Sequence, residues 1–179
     1  MKNIFISSLL FISGLAYSQV IIGDEVGSAS DKTSVLLDFA TNQNRGILLP
    51  ATRNLPAGSG LVEGTIVLDA SDPLKAKVKY YNGSWQDLSN GNEADITSYM
   101  TIQPLETEET TQGIIIGSET STADGVLILE STDKAMVLPM AESTDEIIDP
   151  APGMMVYINK EGAKRLAVFN GSGWTFWMP

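Results

Sequence analysis

No cysteine and no histidine occur among the 179 residues of the chain. The absence of cysteine excludes disulfide bonds and thiolate nucleophiles, and the absence of histidine removes the commonest general base and a frequent metal ligand. Packing alone must therefore stabilise the fold. We expect a protein that is not an enzyme and that carries no cofactor.

Basic residues are also scarce. The chain has 11 Lys and Arg against 22 Asp and Glu, which gives a formal net charge of −11. This balance disfavours binding to nucleic acids and other polyanions, because like charges repel. The acidity is concentrated in the middle of the chain, since no Lys or Arg lies between Lys79 and Lys134.

Long hydrophobic runs are limited to residues 4–15, which follow Lys2 and precede the small residues Ala16 and Ser18. This arrangement is typical of a signal peptide, here residues 1–18, and predicts export. The run is too short to span a membrane, and no later stretch approaches the required length. We expect the product at the cell surface, outside the cell or in the periplasm, with no membrane span.

The main feature that is present is a repeat. Residues 80–88 and 168–177 are similar, and each contains an Asn-Gly pair between aromatic residues: Asn82-Gly83 and Asn170-Gly171. Asn-Gly between strand-forming flanks predicts a β-hairpin with a type I′ turn, in which both central residues have positive φ. Each half of the chain is therefore predicted to end in a hairpin, with these four residues as structural turns.

Earlier segments repeat as well. Residues 20–23 match 114–117, residues 35–39 match 126–130, residues 45–50 match 134–139, and Gly64 and Gly153 each follow the proline of the last pair by fourteen residues. The spacing varies only in polar stretches, as expected when loops absorb changes in length. The predicted organisation is a signal peptide at 1–18, a first β unit at 19–88, an acidic linker at 89–113 and a second β unit at 114–179.

Strands are the predicted elements of each unit. Lysines alternate with apolar residues at positions 75–80, the period of two that is typical of a half-buried strand, and no stretch shows helical periodicity. We predict an all-β fold of two tandem homologous, hairpin-rich units of about four or five short antiparallel strands each. Units of this size without disulfides bury small cores, so either the units share a core or the chain oligomerises.

The linker at 89–113 contains several acidic residues and few apolar anchors. We interpret it as a solvated, self-repelling connector that keeps the two units apart, in preference to a cation-binding segment.

Aromatic residues are the best candidates for binding. Six of them lie at or just after the Asn-Gly turns: Tyr80, Tyr81, Trp85, Trp174, Phe176 and Trp177. Such rings can stack on a sugar or on a neighbouring subunit, and they can also cap small hydrophobic cores. Core or subunit contact is the favoured interpretation, and glycan binding is the alternative.

Carboxylates offer weaker hypotheses. Asp145, Glu146 and Asp149 are the densest group, and paired carboxylates can hydrolyse glycosides. They lie in a proline-rich loop, where exposed acids are ordinary, so a hydrolase ranks last. Calcium is the metal that such groups would hold, through Asp69 and Asp72 or through Asp145 and Asp149, but neither pair has the spacing of a calcium loop.

The repeated segments resemble a pattern found in exported proteins of flavobacteria and other Bacteroidota. In it a strand ending in Leu-Leu-Asp is followed by Asn-Lys-Gly-Leu-Leu-Leu-Pro, Pro-x-Gly-Met-Leu-Val-Tyr and Tyr-Tyr-Asn-Gly-x-x-Trp. The corresponding residues here are 36–38, 44–50, 63–67 and 80–85, and in the second copy 134–139, 152–157 and 169–174. The resemblance implies a cell-surface or tail-fibre-like protein in a repeated or trimeric fibrous arrangement.

Together these observations predict an exported, non-enzymatic structural or adhesive component of the bacterial cell surface. It is expected to assemble with itself as a homo-oligomer, of which a trimer is one form, or with other surface proteins. The alternative is a carbohydrate-binding module whose Trp and Tyr residues near the turns bind a polysaccharide.

Overall fold

A computed structural model describes residues 19–103 and 113–177. The predicted signal peptide lies outside the described residues. In the described part of the chain the secondary structure is almost entirely β-strand, so the all-β prediction is confirmed. Helix is limited there to α1, Thr97–Met100, and a 3₁₀ turn at Thr144–Glu146. Neither of these described helical segments has the length and apolar character needed to cross a membrane.

The first unit contains seven strands among the described residues. They are β1 Val20–Ile22, β2 Val35–Phe39, β3 Ile47–Leu48, β4 Ala51–Thr52, β5 Ile66–Asp69, β6 Lys77–Tyr81 and β7 Trp85–Asp87. β1 is parallel to β2 and β4 is parallel to β5, while β5, β6 and β7 form an antiparallel meander. Ala76 and Val78 are fully buried on the inner face of the lysine-rich strand, as the alternation predicts.

The second unit repeats this arrangement strand for strand. Its strands are β8 Ile114–Ile116, β9 Leu127–Leu129, β10 Ala135–Met136, β11 Met140–Ala141, β12 Met154–Ile158, β13 Arg165–Phe169 and β14 Trp174–Trp177. The first two are parallel, the fourth and fifth are parallel, and the last three form an antiparallel meander. The two units therefore share one topology.

The number and direction of the strands differ from the prediction of four or five antiparallel strands per unit. That prediction captured the meanders and missed the parallel pairs. A parallel pair has no tight turn between its strands, so it leaves no hairpin pattern in the sequence. In addition, β3, β4, β10 and β11 are only two residues long, which is too short to show a periodicity.

The structure shifts one of the sequence matches by a residue. Leu37 pairs with the first residue of β1, and Leu127 pairs with the first residue of β8. Leu127 is therefore the counterpart of Leu37, whereas the match of 35–39 with 126–130 placed Ile128 there. By the same register, Ile128 is the counterpart of a different β2 residue, the buried Asp38.

The two units hold each other through strand pairs across their boundary. β3 of the first unit pairs antiparallel with β12 of the second, and β10 of the second unit pairs parallel with β2 of the first. Each unit therefore contributes a short strand to a sheet of the other. This exchange makes the described part of the chain one continuous folded block.

One hydrophobic core crosses the unit boundary. Its buried side chains include Leu49 and Leu68 from the first unit and Met155 and Val168 from the second. A smaller cluster lies entirely within the second unit, around Val156. Of the two ways in which such small units can be stabilised, the structure therefore uses a shared core.

The first part of the predicted linker belongs to this core. Ala94 forms an isolated β-bridge with Ala76, and Ile96 and Met100 are 1% and 5% exposed. The interpretation as a solvated connector is wrong for residues 89–103, because most of the few apolar residues of this segment become buried. Residues 104–112 lie outside the described part of the chain.

Gly64 and Gly153 occupy equivalent positions in the two units, and alanine substitutions at both test how tightly the units pack at their boundary. Gly64 and Gly153 have φ of 92° and 86°, so a Cβ strains the backbone equally at both. At Gly153 it would also lie 3.2 Å from Leu68 Cβ, whereas nothing lies within 4 Å at Gly64. We expect Gly64→Ala to lower the free energy of unfolding by about 1 kcal/mol and Gly153→Ala by about 2–3 kcal/mol, measured in urea. Equal losses would contradict tight packing of Gly153 on the first unit.

Candidate functional site

The two Asn-Gly turns both connect hairpin strands. β6 and β7 are joined through Asn82, Gly83 and Ser84, and β13 and β14 are joined through residues 170–173. Only the glycine of each pair has positive φ, 79° in the first turn and 113° in the second. The hairpins are as predicted, but the type I′ turns are not, since that geometry needs positive φ at asparagine as well.

The side chain of Asn170 explains why its backbone can stay in the ordinary region. Its Oδ1 accepts hydrogen bonds from the N–H groups of Ser172 (2.9 Å) and Gly173 (3.0 Å). Its Nδ2 donates to the main-chain oxygen of Asn92 at 2.9 Å, and the residue is 1% exposed. The asparagine closes the turn with its side chain and also attaches the connector between the units to the second hairpin.

Each hairpin brings two aromatic rings together. The ring centroids of Tyr81 and Trp85 are 5.4 Å apart, and those of Phe169 and Trp174 are 5.3 Å apart. Both distances are typical of tilted aromatic pairs, which stabilise neighbouring strands. The same pair occurs in both units, so it is part of the hairpin's own structure. Phe169 was not among the predicted binding residues, although its position before Asn170 corresponds to that of Tyr81.

The remaining candidate rings divide between core and surface. Tyr80 packs against the main core, and Trp174 also packs against the smaller cluster. Phe176 and Trp177 are 40% and 41% exposed. The guanidinium of Arg165 lies 4.1 Å from the centre of the Phe176 ring, and Trp177 Nε1 donates at 3.0 Å to a main-chain oxygen at the end of the first unit. Consecutive strand residues point to opposite faces, so Phe176 and Trp177 do not form one platform.

The carboxylates considered for acid–base chemistry lie on the surface. Asp145, Glu146 and Asp149 are all exposed in the loop between β11 and β12. The N–H of Asp145 donates to Ser143 Oγ at 3.2 Å, as at the start of many helical turns. Solvated carboxylates in such a loop lack the burial that tunes a catalytic acid or base.

Two of the carboxylates considered for calcium, Asp69 and Asp72, have protein donors. Asp69 Oδ2 lies 2.7 Å from Lys79 Nζ, and Asp69 Oδ1 accepts hydrogen bonds from Ser71. Burial alone would raise the pKa of Asp69, but the hydrogen bonds from Lys79 and Ser71 outweigh it and lower that pKa. Asp72 Oδ1 accepts from the N–H of Leu74 at 3.1 Å. Within residues 19–103 and 113–177 no group of three or more acidic side chains is arranged to hold a metal ion; the expectation of no cofactor stays a prediction.

An open apolar groove lies where the two units and the connector meet. It has a volume of about 430 Å³ and is lined by Leu48, Leu49, Pro50, Ala51, Tyr99, Ile102, Gln103 and Val126. Leu48, Ile102 and Val126 are 47%, 79% and 70% exposed. Clusters of exposed apolar side chains are typical of contact surfaces and of ligand grooves. The groove is not predictable from the sequence, because its residues come from three short, separate segments.

The strand pair β8–β9 carries further exposed apolar side chains. Ile114 and Leu127, which pair with each other, are 66% and 46% exposed. We call the set Leu48, Ile102, Ile114, Val126 and Leu127 the apolar surface. Three of these five residues belong to the second unit.

Comparison with known proteins points to the same unit. Residues 113–178 match a family model described as a phage tail like trimerisation region. The match covers the second unit, a little more than a third of the chain. No curated protein and no solved structure matches the chain. The second unit is therefore similar to a structural β region through which chains associate.

Proposed function

We propose that the protein is an exported, non-enzymatic structural component that assembles as a homotrimer at the bacterial cell surface or in an extracellular appendage. The observation that carries the proposal is the match of residues 113–178 to a phage tail like trimerisation region. That match concerns the unit whose topology is repeated in the first half of the chain. A structural role for the whole chain is consistent with two copies of one strand arrangement.

The apolar surface supports self-association. Its five aliphatic side chains are between 46% and 79% exposed, although the same chain buries comparable residues completely elsewhere. Covering them in an assembly removes apolar area from water, which stabilises by roughly 25 cal/mol for each Å² buried. A second copy of the chain is the natural partner, since soluble oligomers are mostly assemblies of identical subunits.

Export and a surface location are supported by the sequence. Residues 1–18 have the charge and hydrophobicity of a signal peptide, and the repeated segments resemble those of exported Bacteroidota surface proteins. Adhesion is one function that such an assembly would serve, because a trimer presents each surface three times.

A non-enzymatic role is supported by the chemistry of the side chains. Histidine and cysteine are absent from the sequence. The acidic residues considered above are either solvated or hydrogen-bonded to protein donors. Carbohydrate binding has less support than assembly, because the candidate rings pack against the cores, against each other or on opposite faces of β14.

The trimer is tested by the native mass of the purified protein. Size-exclusion chromatography with light scattering, over a range of micromolar concentrations, is expected to give three times the mass of one chain. A single species with the mass of one chain would overturn the proposal. In parallel, soluble polysaccharides are expected to leave tryptophan fluorescence unchanged; saturable quenching would favour the carbohydrate-binding alternative.

A further inference from the structure

The two units use equivalent strands to hold each other, but through opposite edges. Next to β3, the N–H of Leu49 donates at 3.1 Å to the main-chain oxygen of Gly153 in the second unit. In and next to β10, the N–H groups of Ala135 and Val137 donate at 2.8 and 2.9 Å to main-chain oxygens of the first unit. Successive N–H groups of a strand point to opposite sides, so these two contacts use different edges of the same repeated strand.

β3 therefore has an outer edge that corresponds to the edge used by β10. The residues that correspond to Ala135 and Val137 are Gly46 and Leu48. Because the N–H of Leu49 points towards β12, the N–H groups of Gly46 and Leu48 point away from it. Among the described residues β3 pairs with β12 alone, so no other strand lies on this outer edge.

Among the described residues, β9 has one edge without a partner strand, and this edge corresponds to the edge of β2 that β10 occupies. Its counterpart β2 lies between β1 and β10, whereas in the described residues β9 pairs with β8 alone. Leu127 and Val126 are 46% and 70% exposed, while their counterparts Leu37 and Leu36 are 0% and 3% exposed. An apolar edge strand of this kind is a template for pairing with another strand.

At the start of β9 the repeated pairing brings two glycines together, beside a contact in which the N–H of Asp124 donates at 2.9 Å to the main-chain oxygen of Gly60. Where β10 places Ala135 beside Val35, the corresponding residues of β3 and β9 are Gly46 and Gly125, so no side chain intervenes. The other conceivable contact is β10 on the edge of β5, because β10 and β5 are the counterparts of β3 and β12. This contact is obstructed. In the β3–β12 pair a Cβ at Gly46 would lie 2.6 Å from Met155 O, and Ala135, the counterpart of Gly46, has a Cβ at that place. Each chain therefore offers one donor strand and one acceptor edge.

We propose that β3 of one copy pairs in parallel with β9 of a second copy, with Ile47 beside Leu127, as Met136 lies beside Leu37 within the chain. Within the described part of one chain β3 pairs with β12 alone and β9 with β8 alone, so the chain's own β3 does not fill the edge. One donor and one acceptor per chain give a head-to-tail contact, which three copies can close into a ring. This inference rests on the proposed homotrimer and identifies the surface that forms it.

Engineered disulfides test the pairing, because the native chain has no cysteine. Neighbouring strands lie about 4.8 Å apart, within the range that a disulfide bridges. Under mild oxidation Ile47→Cys/Leu127→Cys is expected to give a covalent ladder that ends at three chains on a non-reducing gel. The single variants Ile47→Cys and Leu127→Cys, mixed, are expected to give mixed dimers and no higher species.

Two controls separate this contact from random crosslinking and from misfolding. Ile148 is 84% exposed in a loop of the second unit, so Ile148→Cys/Leu127→Cys is expected to remain free of the ladder. Leu127→Lys is expected to reduce the native mass from three chains to one, because it places a charge in the buried edge. Ile148→Lys is expected to leave the mass unchanged, and circular dichroism checks that both lysine variants keep their β structure.

The outcomes distinguish this inference from the proposed function. A native trimer whose Ile47→Cys/Leu127→Cys variant gives no ladder overturns the strand pairing and leaves the trimer standing. A disulfide formed inside single chains, seen as loss of free thiol without a ladder, overturns the pairing between copies. A wild-type protein with the mass of one chain overturns both.

Discussion

Replacing Ile96 with alanine is expected to lower the free energy of unfolding by about 2–5 kcal/mol. Ile96 is 1% exposed and belongs to the core that both units share. A Cβ on Gly171 would lie 2.7 Å from Ile96 Cγ2, so the connector packs directly against the hairpin turn of the second unit. Removing three carbon atoms there leaves a cavity between elements that are far apart in the sequence, which limits how far they can relax.

The matched control is Ile148→Ala, outside the apolar surface. Ile148 is 84% exposed, and its truncation is expected to change the stability by less than about 0.5 kcal/mol. Urea denaturation followed by circular dichroism and by tryptophan fluorescence measures both variants. Coincident transitions are expected from the two signals, because one core serves both units. If Ile96→Ala were as mild as Ile148→Ala, the connector would not be a structural part of the core.

The strands that a local pattern specifies were predictable. The alternation at 75–80 and the two Asn-Gly pairs predict the meanders, because hairpin pairing depends on residues close together in the sequence. The parallel pairs depend on partners separated by long loops or by the other unit, as β10 and β2 are. A strand of two residues has no period to detect, so the exchange between units could not be predicted.

The candidate site was predictable only in part. Aromatic residues beside the turns were correctly placed in the hairpins, but the apolar groove combines Leu48, Ile102 and Val126 from three segments and exists only after folding. The buried connector was not predicted because its apolar residues, among them Ile96 and Met100, are few and scattered among polar ones. A lone carboxylate in the apolar strand Val35–Phe39 is a sequence signal for a buried charge that was not among the predictions.

Asp38→Asn is expected to lower the free energy of unfolding by about 2–4 kcal/mol at neutral pH. Asp38 is fully buried in β2, where it forms an ion pair with Lys32. It also accepts hydrogen bonds from Ser28 Oγ (2.8 Å) and from the N–H groups of Ala29 (3.1 Å) and Phe39 (2.8 Å). An asparagine would present an NH₂ group to some of these donors, leaving them unpaired and the loop before β2 less firmly held.

The second unit supplies the control for Asp38. Its counterpart there is Ile128, and the hydroxyl of Ser121 instead donates to the half-buried Glu130. Glu130→Gln is expected to lower the stability by about 1 kcal/mol or less, because one hydrogen bond is involved and the side chain keeps access to water. A similar loss for Glu130→Gln and Asp38→Asn would contradict a special role for the buried carboxylate.

The pH dependence of the stability lost in Asp38→Asn tests whether the charge of Asp38 contributes to folding. Burial alone would raise the pKa of Asp38, but hydrogen bonds from Lys32, Ala29, Ser28 and Phe39 outweigh it and hold that pKa well below its ordinary value. The contribution to stability is therefore fully present above the unfolded-state pKa of about 3.9 and is lost as the pH falls towards the folded-state pKa. Urea midpoints for wild type and Asp38→Asn are expected to differ most above about pH 5 and to draw together progressively as the pH falls below about 4. Because Asp69 titrates in both proteins, its effect cancels in the difference between them. A difference in urea midpoint that stays constant down to the lowest pH would show that Asp38 contributes through its shape and not through its charge.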